Sequence, residues 1–131
     1  MDAPIIRVIM QRYQMDCGVA CLAMLCGVSY ENALVAFAGQ CPDICVTGCW
    51  TKHLRNAAKA LGFTLKARRR FDLDDDTGIL NLTGPEFKGD HLVVLWQGRI
   101  IDTDAGLYMH DVYFSIFNYK PTALFVAERR P

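Results

Sequence analysis

The chain has 131 residues, of which 52% are hydrophobic and 21% charged, the composition of one soluble globular domain spanning 1–131. Fourteen basic residues balance fourteen acidic ones, which gives no electrostatic reason to expect nucleic acid or an anionic membrane surface as partner. No basic segment followed by an apolar one opens the chain and no apolar run is long enough to span a bilayer, so the expectation is a cytoplasmic protein without signal peptide or membrane span.

In chain order, Ile5 to Met10 is a β-prone run that leads into the polar Gln11-Arg12-Tyr13-Gln14. Asp16 reads as an N-cap for an apolar, buried helix from Cys17 to Leu25, closed by Gly27. Ser29 is a second N-cap, starting a helix over Tyr30 to Ala38 that stops at Gly39. A third helix starts at Thr51, aligns Leu54, Ala57, Ala58 and Leu61 on one face, and closes at Gly62. The period then changes from helical to alternating. Phe63 to Ala67 and Ile79 to Leu82 read as strands. His91 to Trp96, the pair Gln97-Gly98, and Arg99 to Asp104 read as a β-hairpin with a two-residue turn. A short helix over Asp111 to Asn118 and a last strand over Thr122 to Ala127 follow. Helices first and a mostly antiparallel sheet second make an α+β pattern.

Two places in this order carry chemistry. Cys17 stands one residue past a helix N-cap, where free N–H groups and the helix dipole stabilise a thiolate, the form of cysteine that attacks a carbonyl. Taken alone, a helical cysteine is more often buried and inert. The hairpin adds the second place. With a two-residue turn His91 lies opposite Asp104, and Asp102 shares its face, offset by two residues. A carboxylate so placed orients an imidazole and stabilises its protonated form, although a surface His-Asp pair at a sheet end would look the same in sequence. Cross-strand geometry alone favours Asp104.

The stretch from Gln11 to Leu25, with Gln11, Asp16, Cys17 and Gly18 at its centre, resembles the start of the bacteriocin-processing, double-glycine leader peptidases. These are papain-like cysteine peptidase domains usually fused to the N-terminus of ABC exporters. The likeness continues in register through Ser29-Tyr30-Glu31, Val46-Thr47-Gly48, Leu54 to Phe63, His91 to Leu95 and Thr122 to Val126. It implies a papain-like fold in which Cys17 is the nucleophile, His91 its general base, and an aspartate after the second hairpin strand orients the base. Asp102 takes that place because it follows the apolar pair Ile100-Ile101, with Asp104 as the alternative. Gln11, six residues before Cys17, falls where the family's oxyanion-hole glutamine stands. The family's aspartate is typically followed by proline, whereas here Thr103 follows Asp102, and the hairpin is shorter than usual. The chain ends at Pro131 without a membrane or ATPase segment, so coupling of cleavage to export would need a separately encoded exporter.

Other features have simpler readings. Cys41, Cys45 and Cys49 recur every four residues, but Pro42 and Gly48 interrupt them and only His53 is near, so no metal is expected. With six cysteines and no export signal, reduced thiols are expected rather than a disulfide framework. The runs Arg68-Arg69-Arg70 and Asp74-Asp75-Asp76 read as solvated ends of a loop, His53 as solvated, and Trp50 and Trp96 as partial core. The expectation is therefore a monomeric cysteine peptidase without cofactor, acting on a peptide or protein. Its alternatives are a peptide-binding module that does not cut, or an amide hydrolase or transamidase using the same site.

Overall fold

The computed structural model describes residues 6–49, 51–85 and 90–130. Helix α1 (Cys17–Cys26) is the central one. It is apolar on every side, and eight of its residues are buried. That is the pattern of a helix packed all round rather than along one stripe. It ends at Gly27, whose left-handed backbone (φ 68°) lets its N–H reach the Ala23 carbonyl. Helix α2 (Tyr30–Ala38) starts at Ser29, whose hydroxyl accepts from the Asn32 N–H. A single turn, α3 (Ile44–Thr47), follows, and it had no clear signal in the sequence. Helix α4 (Thr51–Ala60) buries Leu54, Ala57 and Ala58, the face its spacing predicts.

The remainder forms a six-stranded antiparallel sheet with β1 (Phe63–Arg68), β2 (Gly78–Thr83), β3 (His91–Trp96), β4 (Arg99–Asp102), β5 (Gly106–Met109) and β6 (Lys120–Arg129). The strand order is β1-β6-β2-β3-β4-β5, so the last strand enters the middle of the sheet. Helix α5 (His110–Ile116) links β5 to β6. The fold is α+β, with helices packed on an antiparallel sheet, as expected.

The two faces of the sheet bury different things. Ile79, Val94, Ile101 and Phe125 pack with α1, α2 and α4. Leu80, Leu82, Val93, Leu95, Ile100 and Leu124 pack on the other face with Tyr113 of α5, covered by an aromatic group that includes Tyr108, Phe114, Phe117 and Tyr119. Strand alternation dictates this division, since neighbouring residues point to opposite faces.

Two expectations about elements need correction. Residues 6–10 form no strand, and Ile5 lies outside the described residues. The chain there is tied to the domain through the backbone bond from the Gln11 N–H to the Thr103 carbonyl. The second hairpin strand ends at Asp102, not Asp104. Its extension is replaced by a tight turn that pairs Asp102 with Gly106 and starts β5, a strand the sequence reading did not contain. The turn itself is as expected: Gln97 (φ 49°) and Gly98 (φ 74°) both have positive φ, which joins twisted strands in a two-residue loop.

Candidate active site

The site lies where the N-terminus of α1 meets the start of β3. Gly18 makes this approach possible. A Cβ there would sit 2.8 Å from the Cys49 sulfur and 3.6 Å from Leu92 Cδ1. Without one, the first turn of α1 closes on the residue next to His91. Cys17 is half-buried, in contrast to the fully enclosed Cys21 four residues on.

Asp16 occupies the position before α1 but does not cap it with its side chain. Its fully buried carboxylate turns back instead, accepting from the N–H groups of Arg12 and Tyr13, each at 3.0 Å, and from the Tyr30 hydroxyl. The sequence assigned Asp16 the cap itself, and the structure corrects this. The position is right, but the carboxylate closes the 12–16 loop. The physical consequence is that no side-chain cap consumes the N–H groups in the first turn of α1, so they keep their attraction for an anion at Cys17.

His91 begins β3. Its Nε2 lies 3.2 Å from Oδ1 of Asp102, and both side chains are nearly enclosed, at 14% and 4% exposure. The Cys17 side chain lies close enough to the imidazole to act on its protonation. Burial pulls the His91 pKa down, but its hydrogen bond to the Asp102 carboxylate and the nearby Cys17 side chain outweigh this, leaving it raised to about 10. Asp102 responds in the opposite sense. Burial pushes its carboxyl up, but donation from His91, Tyr113 and the Asp104 backbone holds it below the usual carboxylate value. The structure thus joins His91 to Asp102 by a hydrogen bond, with Cys17 in the neighbourhood of the ring.

Asp104 does not join them through its side chain, which is exposed in the turn. Its backbone N–H donates to Asp102 Oδ1 at 3.0 Å. Gln11 reaches the same neighbourhood from the other side. Its Oε1 accepts from the Thr103 hydroxyl at 2.7 Å, and its backbone N–H donates to the Thr103 carbonyl. Its side-chain amide donates to the carbonyls of Tyr13 (2.8 Å) and Gln14 (3.2 Å), inside its own loop. The residue expected to hold an oxyanion therefore has its amide engaged elsewhere in this state.

The sequence reading missed Tyr113. Its hydroxyl donates to Asp102 Oδ2 at 2.6 Å from a fully buried position on α5. A tyrosine in a short apolar helix carries no local sign that its oxygen meets a carboxylate eleven residues away in another element.

The remaining candidates lie outside this arrangement. All six cysteines are free thiols. Cys41 donates to the Gly48 carbonyl, Cys45 lies 3.8 Å from the Tyr30 hydroxyl, and burial, with the nearby charges of Cys17 and Cys41, pushes the Cys49 thiol up to about 12. Among the described residues no three His, Cys, Asp or Glu side chains converge as a metal site requires. His53 is half-buried on α4, more enclosed than expected, and its carbonyl accepts from Gln40. Trp96 packs against the core, and Trp50 lies outside the described residues. The loop after Arg70 exposes Asp72, Asp74 and Asp75 while Phe71 and Leu73 pack inward, and it bonds to itself through Asp72, with Asp74 joined to His110 at 2.7 Å. No single helix among the described residues is long and apolar enough to cross a membrane.

This combination of an N-terminal buried helix and an antiparallel sheet, with a cysteine facing a histidine across them, is the architecture of papain-like peptidase domains. The chain is similar in fold to the peptidase domain of Streptococcus ComA, a bi-functional ABC transporter involved in quorum sensing. That likeness has a TM-score of 0.67 at 16% identity and covers 96% of this chain and all of that one. It is also similar to a double glycine motif protease from an AMS/PCAT transporter, solved in complex with the leader peptide. There the TM-score is 0.62 at 21% identity, with 95% and 92% of the two chains covered. No curated protein matches the chain significantly. Residues 6–97 match the Peptidase C39 family, and the chain belongs to that family of cysteine peptidases.

Proposed function

We propose that this chain is an active cysteine peptidase that hydrolyses a peptide bond following a Gly-Gly-type leader. The observation that supports the reading is the enclosed imidazole of His91, held by Asp102 at 3.2 Å and close to Cys17 at the start of α1. In this mechanism the Cys17 thiolate attacks the scissile carbonyl carbon, and the carbonyl electron pair moves to oxygen. Protonated His91 gives its proton to the departing amine as the C–N bond breaks, leaving a thioester on Cys17. His91 then takes a proton from water, which attacks the thioester and releases the acid. Asp102 keeps Nε2 of the ring engaged, which leaves Nδ1 for the sulfur.

The oxyanion falls to the Cys17 backbone N–H and, on this reading, the Gln11 amide. Losing one such donor typically costs ~3 kcal/mol in the transition state. For Gln11 to serve, it must exchange its bonds to Tyr13 and Gln14 for the oxyanion when substrate binds. The substrate class rests on the family and on the leader peptide bound by one fold relative, and an ABC exporter would be the natural partner.

A second reading, a module that binds such a peptide without cutting it, has one observation on its side: the occupied Gln11 amide. Alkylation separates the two. Iodoacetamide applied from pH 5 to 9, with the labelled cysteines mapped by mass spectrometry, should modify Cys17 fastest. The labelling should persist well below the ordinary thiol pKa of ~8.5 and be lost in His91→Ala. A peptide carrying Gly-Gly before the scissile bond should be cut by the wild type and not by Cys17→Ala. If Cys17 labels no faster than Cys41 or Cys45, the peptidase reading fails and the binder reading stands.

A further inference from the structure

We propose that Tyr113 is a positioning residue of this site, its buried phenol fixing the Asp102 carboxylate in the orientation that serves His91. This rests on the peptidase reading above and extends the machinery to α5, on the sheet face opposite α1.

The placement follows from strand alternation. Asp102 has the same parity in β4 as Ile100, whose side chain lies in the cluster with Tyr113 and not in the one with α1. The carboxylate therefore belongs to the α5 face, while His91, at the very end of β3, can turn around the sheet edge toward Cys17. Both oxygens of Asp102 have defined work. Oδ1 takes His91 Nε2 at 3.2 Å and the Asp104 N–H at 3.0 Å, and Oδ2 takes the Tyr113 hydroxyl at 2.6 Å. Bonds to Oδ1 alone leave the carboxylate free to swing about its Cβ–Cγ bond; the bond to Oδ2 sets its plane.

The phenol can do this because it cannot move. Tyr113 is fully buried, with ring centroids 4.7 Å from Phe117, 5.2 Å from Phe114 and 5.6 Å from Tyr108. Tyr119, 6.1 Å from Tyr113, meets the His91 ring edge-on at 6.4 Å, so one aromatic cluster steadies both the acid's anchor and the base. The titratable groups around Asp102 are then His91 from β3, Cys17 and Cys21 from α1, Tyr113 from α5, and Tyr108 and Tyr119 behind it. Of these, Tyr113 and His91 donate to the carboxylate through their side chains.

The test is Tyr113→Phe, which keeps the ring and removes only the oxygen. A carboxylate that loses a donor becomes easier to protonate, so the Asp102 midpoint, read by carboxyl ¹³C NMR and assigned with Asp102→Asn, should rise by about one pH unit. With a Gly-Gly peptide, kcat should fall roughly tenfold, as when a group that orients a functional side chain is removed, with KM within about twofold. The acid limb of the kcat profile should move up with the Asp102 midpoint. A residue that only packs would leave both the midpoint and the limb where they are, and that result overturns the proposal.

The two claims fail separately. If the wild type cleaves nothing, the peptidase reading falls, and the kinetic role of Tyr113 with it. If the wild type cleaves and Tyr113→Phe matches it at every pH, the proposal alone falls. Should Tyr113→Phe not fold, the wild-type phenolic proton is the readout. It should exchange slowly, be visible in ¹H NMR, and shift with the Asp102 midpoint. A rapidly exchanging hydroxyl overturns the proposal.

Discussion

At the scale of single residues, the site is a balance between burial and charge. His91 is enclosed, which disfavours an imidazolium, yet its bond to Asp102 and the neighbouring Cys17 leave its pKa raised to about 10. Replacing Asp102 by Asn removes one of those partners while keeping its size. The His91 pKa should then fall, and the alkaline limb of both Cys17 alkylation and peptide cleavage should move to lower pH. On the proposed mechanism kcat should drop by ~10²-fold or more, the usual scale for a disabled acid–base group. Asp104→Asn is the matched control. Its side chain is exposed and only its backbone meets Asp102, so rates and limb should stay near wild type. Gly18 is the other critical residue. Gly18→Ala would drive a methyl toward the Cys49 sulfur, and overpacking of this kind costs about 1–3 kcal/mol, readable as a lower urea midpoint. Adding Cys49→Ala opens the space and should recover much of that loss.

At the scale of elements, the site is held by clamps between segments far apart in the chain. The loop before α1 is closed by Asp16 and joined to the end of β4 by two bonds between Gln11 and Thr103, one backbone and one side-chain. Thr103 is fully buried, so its hydroxyl has exchanged water for Gln11. Thr103→Val keeps the shape and removes the donor. It should cost roughly 1 kcal/mol by urea unfolding, and a double-mutant cycle with Gln11→Ala should show most of that as coupling between the two.

At the scale of the whole molecule, the His91–Asp102 pair joins β3 to β4 beside α1, so its protonation state should be visible in global stability. The signs are opposite for the two partners. The raised His91 pKa contributes stability that is complete below the ordinary value of 6.5 and is lost as pH rises through about 10. The lowered Asp102 pKa contributes stability that is present above its ordinary 3.8 and is lost as pH falls through the lower folded value. The pair's contribution is thus whole between those two ordinary values. Urea midpoints measured from pH 3 to 10 should show wild type declining at both ends relative to His91→Ala, with the difference flat in between. A difference that does not change with pH would mean that the pair contributes nothing to folding.

Much of this architecture was legible in the sequence because it is encoded locally. Ser29 and Gly27 bound their helices through capping and left-handed backbone, requirements met within a few residues. The Gln97-Gly98 turn sets the hairpin register, and with a side-chain period of two that register places His91, Asp102 and Asp104 on one face. Local pattern could go no further than that face. Which aspartate meets the imidazole was decided by β5, which captures the chain at Asp102 and turns Asp104 out to solvent. The carboxylate of Asp16 had an N-cap's position, but the N–H groups of Arg12 and Tyr13 in its own loop and the Tyr30 hydroxyl competed for it and won. Gln11 and Thr103 are 92 residues apart, and Tyr113 reaches Asp102 from the far face of the sheet. The sequence by itself therefore determined most of the elements, their faces and the candidate residues for chemistry, since periodicity and capping act over one or two turns. The tertiary structure alone decided which side chains meet, since buried polar groups must find partners wherever the packed layers bring them.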